Sequence, residues 1–247
     1  MLLKSLLLTG SLAAFTALAA AQSQIGAAAR VALMQDDAGI VQGAPCVVVE
    51  KVDTWQQLAD GTTLSKHVEI RKWRDSEGRF RRESTELHPG QKPDFEVASI
   101  VDPVNNTLTM LHFDRNEAIV YHLPDQGPFH LHPYQDPFDK QLLAREGVQV
   151  KIEKLDGQEI AGVYAEGRRV TRVRPPGTIG NDKPVISEAE RWVSPDLKIM
   201  LLQWTKDPRK SDTRQVTSVD RSEPNPQLFQ IPANFAVREV SIDSTQK

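Results

Sequence analysis

Apolar and polar residues alternate in short runs along most of this chain, and the period is two, not 3.6. In Leu64 to Arg71, Leu64, Val68 and Ile70 fall on one side of an extended backbone, while Ser65, His67, Glu69 and Arg71 fall on the other. Val148, Val150 and Ile152 alternate in the same way with Gln149, Lys151 and Glu153. The β-branched run from Cys46 to Gln57 reads as a strand. Further strands are predicted over 79–87, 95–101, 107–113, 118–123, 160–166, 168–174, 185–193, 197–205 and 213–221.

Turn chemistry separates these runs. Asp60-Gly61, Asp75-Ser76-Glu77-Gly78, Asp102 to Asn106, Asp114 to Glu117, Asp156-Gly157, Pro175-Pro176-Gly177 and Ser194-Pro195-Asp196 supply the residues with which a chain reverses. Two stretches break the rhythm. Pro124 to Asp139 holds four prolines and three aromatics, Phe129, Tyr134 and Phe138, so it reads as a loop packed on something larger. Asp139 then caps a short predicted helix, 140–147, ended by Gly147. The tail from Glu223 to Val240 is extended and punctuated by proline, with Phe229, Ile231 and Phe235 as anchors against the sheet. The fold class expected is mainly β: one large curved antiparallel sheet with one short helix and a Pro-rich loop, closed, doubled or covered because a bare apolar face is not tolerated.

The first 21 residues change the picture of where this domain works. Lys4 precedes an apolar run that ends in the small residues Ala19 and Ala21, the form of a secretory signal peptide. Residues 22–44 show no sustained period and read as a flexible arm, leaving 45–247 as a single β domain, periplasmic or secreted. The formal charge of -3 becomes -4 when Lys4 leaves with the leader, too slight to point to nucleic acid. Cys46 is the only cysteine, so no internal disulfide forms and the core carries stability alone.

Three features together resemble the lipoprotein-carrier and outer-membrane lipoprotein-sorting family of bacterial envelope proteins. They are Gly78-Arg79-Phe80-Arg81-Arg82-Glu83 after the opening hairpin, the double hairpin from Val101 to Tyr121, and Glu190 to Leu197 followed by a long strand and Leu228-Phe229-Gln230-Ile231-Pro232. The runs LADG, RDSEGRFRRE and PPGTIGNDKP are similar to a group of uncharacterised exported bacterial proteins with that fold. The resemblance implies an incomplete barrel, a half-barrel around an apolar cavity, and a non-enzymatic module holding an apolar or acylated ligand.

Candidate residues follow from both readings. Trp55, Trp73, Phe80, Phe113, Tyr121, Trp192 and Trp204 are the set from which a ligand cavity would be lined, or with which a core would be filled. Arg71, Lys72, Arg74, Arg79, Arg81 and Arg82 lie on two neighbouring strands, and of these Arg71, Arg79, Arg81 and Arg82 would present an anion-binding or partner-binding face, since guanidinium pairs carboxylate and phosphate bidentately. The competing reading is a solvated face whose arginines pair across strands with Glu69, Asp75, Glu77 and Glu83. That Arg-rich face gives a second functional reading, an envelope sensor or interaction protein that binds a protein partner. His130-x-His132, with His112 or His122, is too sparse a ligand set for a metal centre, and no HExxH, Cys pair, phosphate loop or G-x-S-x-G elbow occurs. No cofactor and no catalytic residue are expected.

Overall fold

The structure, a computed structural model, describes residues 39–88, 97–126, 130–138, 147–207 and 210–242. The expected signal peptide, the expected arm as far as residue 38 and residues 140–146 of the expected helix lie outside these residues. Twelve strands form one sheet: β1 Cys46–Gln57, β2 Thr63–Arg74, β3 Phe80–Glu86, β4 Val97–Asp102, β5 Thr107–His112, β6 Glu117–His122, β7 Gln149–Ile160, β8 Val163–Arg174, β9 Val185–Ser194, β10 Ile199–Asp207, β11 Lys210–Asp220 and β12 Ala236–Ser241. Their order is β12-β6-β5-β4-β3-β2-β1-β11-β10-β9-β8-β7.

This order is two meanders joined at one seam. β1 to β6 run antiparallel to their neighbours, as do β7 to β11, and Val47 of β1 pairs with Asp220 of β11 to unite the halves. β12 then lies parallel to β6, its Val240 beside Tyr121. The outer edges β7 and β12 do not pair with each other, so the sheet stays open.

Most predicted strands stand within a few residues of their observed ends, and two differences have local causes. The runs 160–166 and 168–174 are one strand, β8, and the reversal that feeds it is Ala161-Gly162, both at positive φ (51° and 75°). Asp156-Gly157 sits instead at a bulge inside β7, between Leu155 and Gln158. Gly157 lies under the exposed Tyr164 ring: a Cβ would stand 2.4 Å from its hydroxyl, so a larger residue there would turn that ring aside. The tail is the second difference. It holds a 3-10 turn, Pro226–Phe229, and then the parallel strand β12, where the sequence shows only extended chain.

Each face of the first meander has its own cover. On one face Ala98, Ile100, Leu111 and Ala118 lie under Phe229, Ile231 and Phe235 of the tail, and the Phe235 ring meets Phe113 edge-on at 5.2 Å. On the other, Val101, Leu108, Ile119 and Tyr121 pack with Phe80 and with Leu131 from the Pro-rich loop. Residues 130–138 of the loop lie on this second face as a strap. Ile40 donates its N–H to the His132 carbonyl at 2.9 Å, and Tyr134 N–H returns to the Ile40 carbonyl at 3.2 Å. Residues 39–44 of the expected arm are thus laid against the strap and the start of β1. Gly39 tolerates this because a Cβ there would fall 2.5 Å from the Pro133 carbonyl oxygen.

Candidate functional site

Beneath the strap lies a cavity of about 90 Å³. Its walls come from Cys46 and Val48 of β1, Lys72 and Arg74 of β2, Phe80 of β3 and Val101 of β4, with Ile199 and Met200 of β10 opposite and Ile40, His130, Leu131 and His132 above. In strand order β4 and β10 are five steps apart, about 24 Å on a flat sheet. For both to border one small cavity the sheet must curl, so the strapped face is concave. A second hollow of about 70 Å³ adjoins it through Lys198 and Met200, under Tyr134 and Pro137.

Register decides which side chains reach this concave face. Cys46 pairs with Arg74 and Val48 with Lys72, Lys72 pairs with Arg82, and Arg74 with Phe80. These pairs share one side of the pleat. The same reasoning sets Arg168, Arg191, Gln203 and Arg214 in a row on β8, β9, β10 and β11. Arg168 stacks over Phe138 of the strap at 5.2 Å.

Basic groups therefore dominate a face whose walls are otherwise apolar. Among the described residues its one deeply buried carboxylate is Glu50, gripped by Lys72 at 2.9 Å and Arg214 at 3.3 Å. Burial is the largest influence on that carboxyl and pushes its pKa up. Lys72, Arg214 and Arg82 together outweigh burial, so the net displacement is downward and Glu50 is ionised at neutral pH.

Arg74 is held differently. Only 5% exposed, it donates Nε to the Ala44 carbonyl at 2.8 Å and Nη2 to the Leu197 carbonyl at 2.6 Å. The second bond crosses from β2 over β1 and β11 to the turn before β10, tying the curl shut at one end. Burial lowers the guanidinium from its ordinary value. Beside it, burial pushes the Cys46 thiol up against the pull of Arg74, Lys72 and Arg221, leaving it neutral.

Of the aromatic set, Phe80 borders the cavity and Tyr121 packs in the adjoining concave core. The other five stand elsewhere. Trp73 pairs with Arg81, next to the Arg74–Phe80 pair, so alternation puts it on the opposite face. Phe113 lies under the tail with Phe235. Trp192 covers Gly167, and Trp204 donates Nε1 to Glu190 at 3.0 Å, both on the face opposite Arg191 and Gln203. Trp55 is 39% exposed near the end of β1. These rings do not form one lining, because aromatic residue type carries no information about which side of the pleat a position takes.

The arginine set divides for the same reason. Arg71 and Arg81 share the convex face and Arg82 the concave one. Arg71 pairs with Glu69 at 3.1 Å, Arg79 with Asp75 at 2.6 Å and Glu77 at 2.8 Å, and Arg81 with Glu83 at 2.6 Å. The acids are those expected, but the pairs run along one strand or within a turn instead of across strands. Arg81 also donates to the Leu228 carbonyl at 2.9 Å, and Arg79 lies over the Phe229 ring at 5.5 Å, so both hold the tail in place. No single arginine face results.

His130 and His132 stand with ring centroids 6.2 Å apart on the strap, and His122 pairs with Glu239 at the β6–β12 seam. Among the described residues no three His, Cys, Asp or Glu side chains are gathered closely enough to hold a metal ion. No helix among them is long and apolar enough to cross a membrane. The residues that sequence reasoning missed are Glu50 and Lys198, whereas Lys72 and Arg74 belong to the basic strands it singled out, without a sign that they face inward. Val48 and Ile70 flank Glu50 in the register, and a lone acid on an apolar strand face is the signal that could have found it.

No family model matches the chain, and no curated protein matches it. Among solved structures, a LolA superfamily protein of Nitrosomonas europaea is similar over 82% of this chain and 97% of its own, at 8% identity and a TM-score of 0.34. LprF of Mycobacterium bovis is similar over 74% of this chain and 90% of its own, at 11% identity and a TM-score of 0.34. A beta-barrel-like protein of a domain of unknown function from Brucella abortus covers 74% of this chain and 100% of its own, at 7% identity and a TM-score of 0.35. Solved structures similar to this chain thus include a LolA superfamily protein, the type of protein that the sequence resembles.

Proposed function

We propose that the protein is an exported, non-enzymatic binding module that holds an apolar or acylated ligand on the concave face of its open sheet, beneath the strap. One observation carries the reading: the cavity bounded by Val48, Phe80, Val101 and Leu131 has an apolar wall and a cover that is not itself a strand. Ligand sites are built in this way, from apolar walls with a few placed polar groups.

Size sets a condition on the ligand. At about 90 Å³ the cavity exceeds the space for one water but falls below the roughly 300 Å³ at which pockets for drug-sized molecules begin. A long acyl chain is admitted only when the strap lifts. The strap's backbone is bonded to Ile40, outside the strands, so it can lift without breaking a sheet ladder. The competing reading, a partner docked on Arg71, Arg79, Arg81 and Arg82, is disfavoured because Arg71, Arg79 and Arg81 are engaged by the protein's own acids and tail.

The test is native mass spectrometry of residues 22–247 purified from a periplasm without detergent, with organic extraction of what co-purifies. A stoichiometric lipid or acyl adduct is the expected result. A clean apo mass, together with no uptake of alkyl-chain probes in titration, would end this reading.

A further inference from the structure

Among the described residues the cavity borders on three cations, Lys72, Arg74 and Lys198, and on no acidic side chain. Lys72 is matched by Glu50. Arg74 and Lys198 are not: among the described residues no carboxylate pairs with either. The two bonds of Arg74 go to neutral carbonyls, which fix the plane of the guanidinium and leave its charge uncompensated. The Leu197 bond also brings that guanidinium to the residue next to Lys198, whose ammonium lies 5.5 Å over the Tyr134 ring of the strap. Of the two buried arginines among the described residues, Arg81 faces Glu83 and Arg74 faces no carboxylate. Cys46 does not supply the missing charge, because burial keeps its thiol neutral. A buried cation without a counter-ion is costly, and an anion entering the cavity relieves that cost.

Resting on the binding function proposed above, we propose that the ligand is an anionic amphiphile: a carboxylate or phosphate head seated between Arg74 and Lys198, with its chain along Val48, Phe80, Val101 and Leu131. The guanidinium suits a planar or tetrahedral oxyanion, and the lysine adds a point charge from the opposite wall.

Titration calorimetry at low salt with decanoate, decyl phosphate, decanol and decyltrimethylammonium separates the possibilities. The two anions are expected to bind at least about tenfold more tightly than decanol, the gain of one charge-assisted hydrogen bond, and the ammonium more weakly than decanol. Inorganic phosphate is expected to bind far more weakly than decyl phosphate; equal affinities would overturn the amphiphile in favour of a free anion. Lys198→Gln and Arg74→Gln should each lower affinity for decanoate about tenfold and leave decanol unchanged. Lys198→Gln protects the test against a folding defect at Arg74, since among the described residues the ammonium makes only the ring contact. Decanol binding as tightly as decanoate, or a Lys198→Gln protein that binds decanoate as the parent does, would overturn the head-group assignment with the apolar site intact. If none of the four chains binds, the assignment and the binding function fall together.

Discussion

Glu50 shows how one residue couples the sheet to pH. Its carboxyl is displaced downward in the folded state, burial being outweighed by Lys72, Arg214 and Arg82. A depressed carboxyl pKa contributes stability that is present above the unfolded value, about 4.3, and is lost as pH falls through the lower folded value. His112, lowered chiefly by burial, acts in the same direction: its contribution is present above about 6.5 and drains away as the pH falls. Glu50→Gln should therefore flatten the acid limb of a stability-against-pH curve measured by urea unfolding. At pH 7 it should cost about 3 kcal/mol, because Lys72 and Arg214 lose the charge that compensates their burial. Gly167 offers a steric test at the same scale. A Cβ there would lie 2.4 Å from Trp192 Nε1, so Gly167→Ala should cost about 1–3 kcal/mol and shift the tryptophan emission spectrum.

Elements were the most legible part of the sequence. Period-two alternation with Asp-Gly and Asp-Pro punctuation located most strands because both signals are local, Asp156-Gly157 inside β7 being an exception. The anchors Phe229, Ile231 and Phe235 were equally readable, being large apolar residues in an otherwise polar, Pro-rich tail. What alternation withholds is the face. Phe80 and Trp73 are alike as aromatic strand residues, and only the pairing of Trp73 with Arg81 puts them on opposite sides. The charge environment of Arg74 was illegible for another reason: its acceptors are the carbonyls of Ala44 and Leu197, and backbone leaves no mark in residue type. The tail supplies the prediction at this scale. Phe235→Ala removes the edge-on contact with Phe113 just before β12, and should cost about 2–3 kcal/mol. Amides of 236–241 should then exchange with solvent faster than those of β4 and β5.

At the scale of the whole molecule, the seam between β1 and β11 has a consequence for how the chain acquires its shape. Val47 meets Asp220, so the first strand finds its second neighbour only when the last quarter of the chain has arrived. Until then the β1–β6 ribbon carries a raw edge at Cys46–Gln57, rich in valine, of the kind that recruits foreign strands. Pairings this remote in sequence are slow to find. A chain that emerges from a translocation channel amino end first would wait in that exposed state, and its yield would depend on whatever attends the nascent edge.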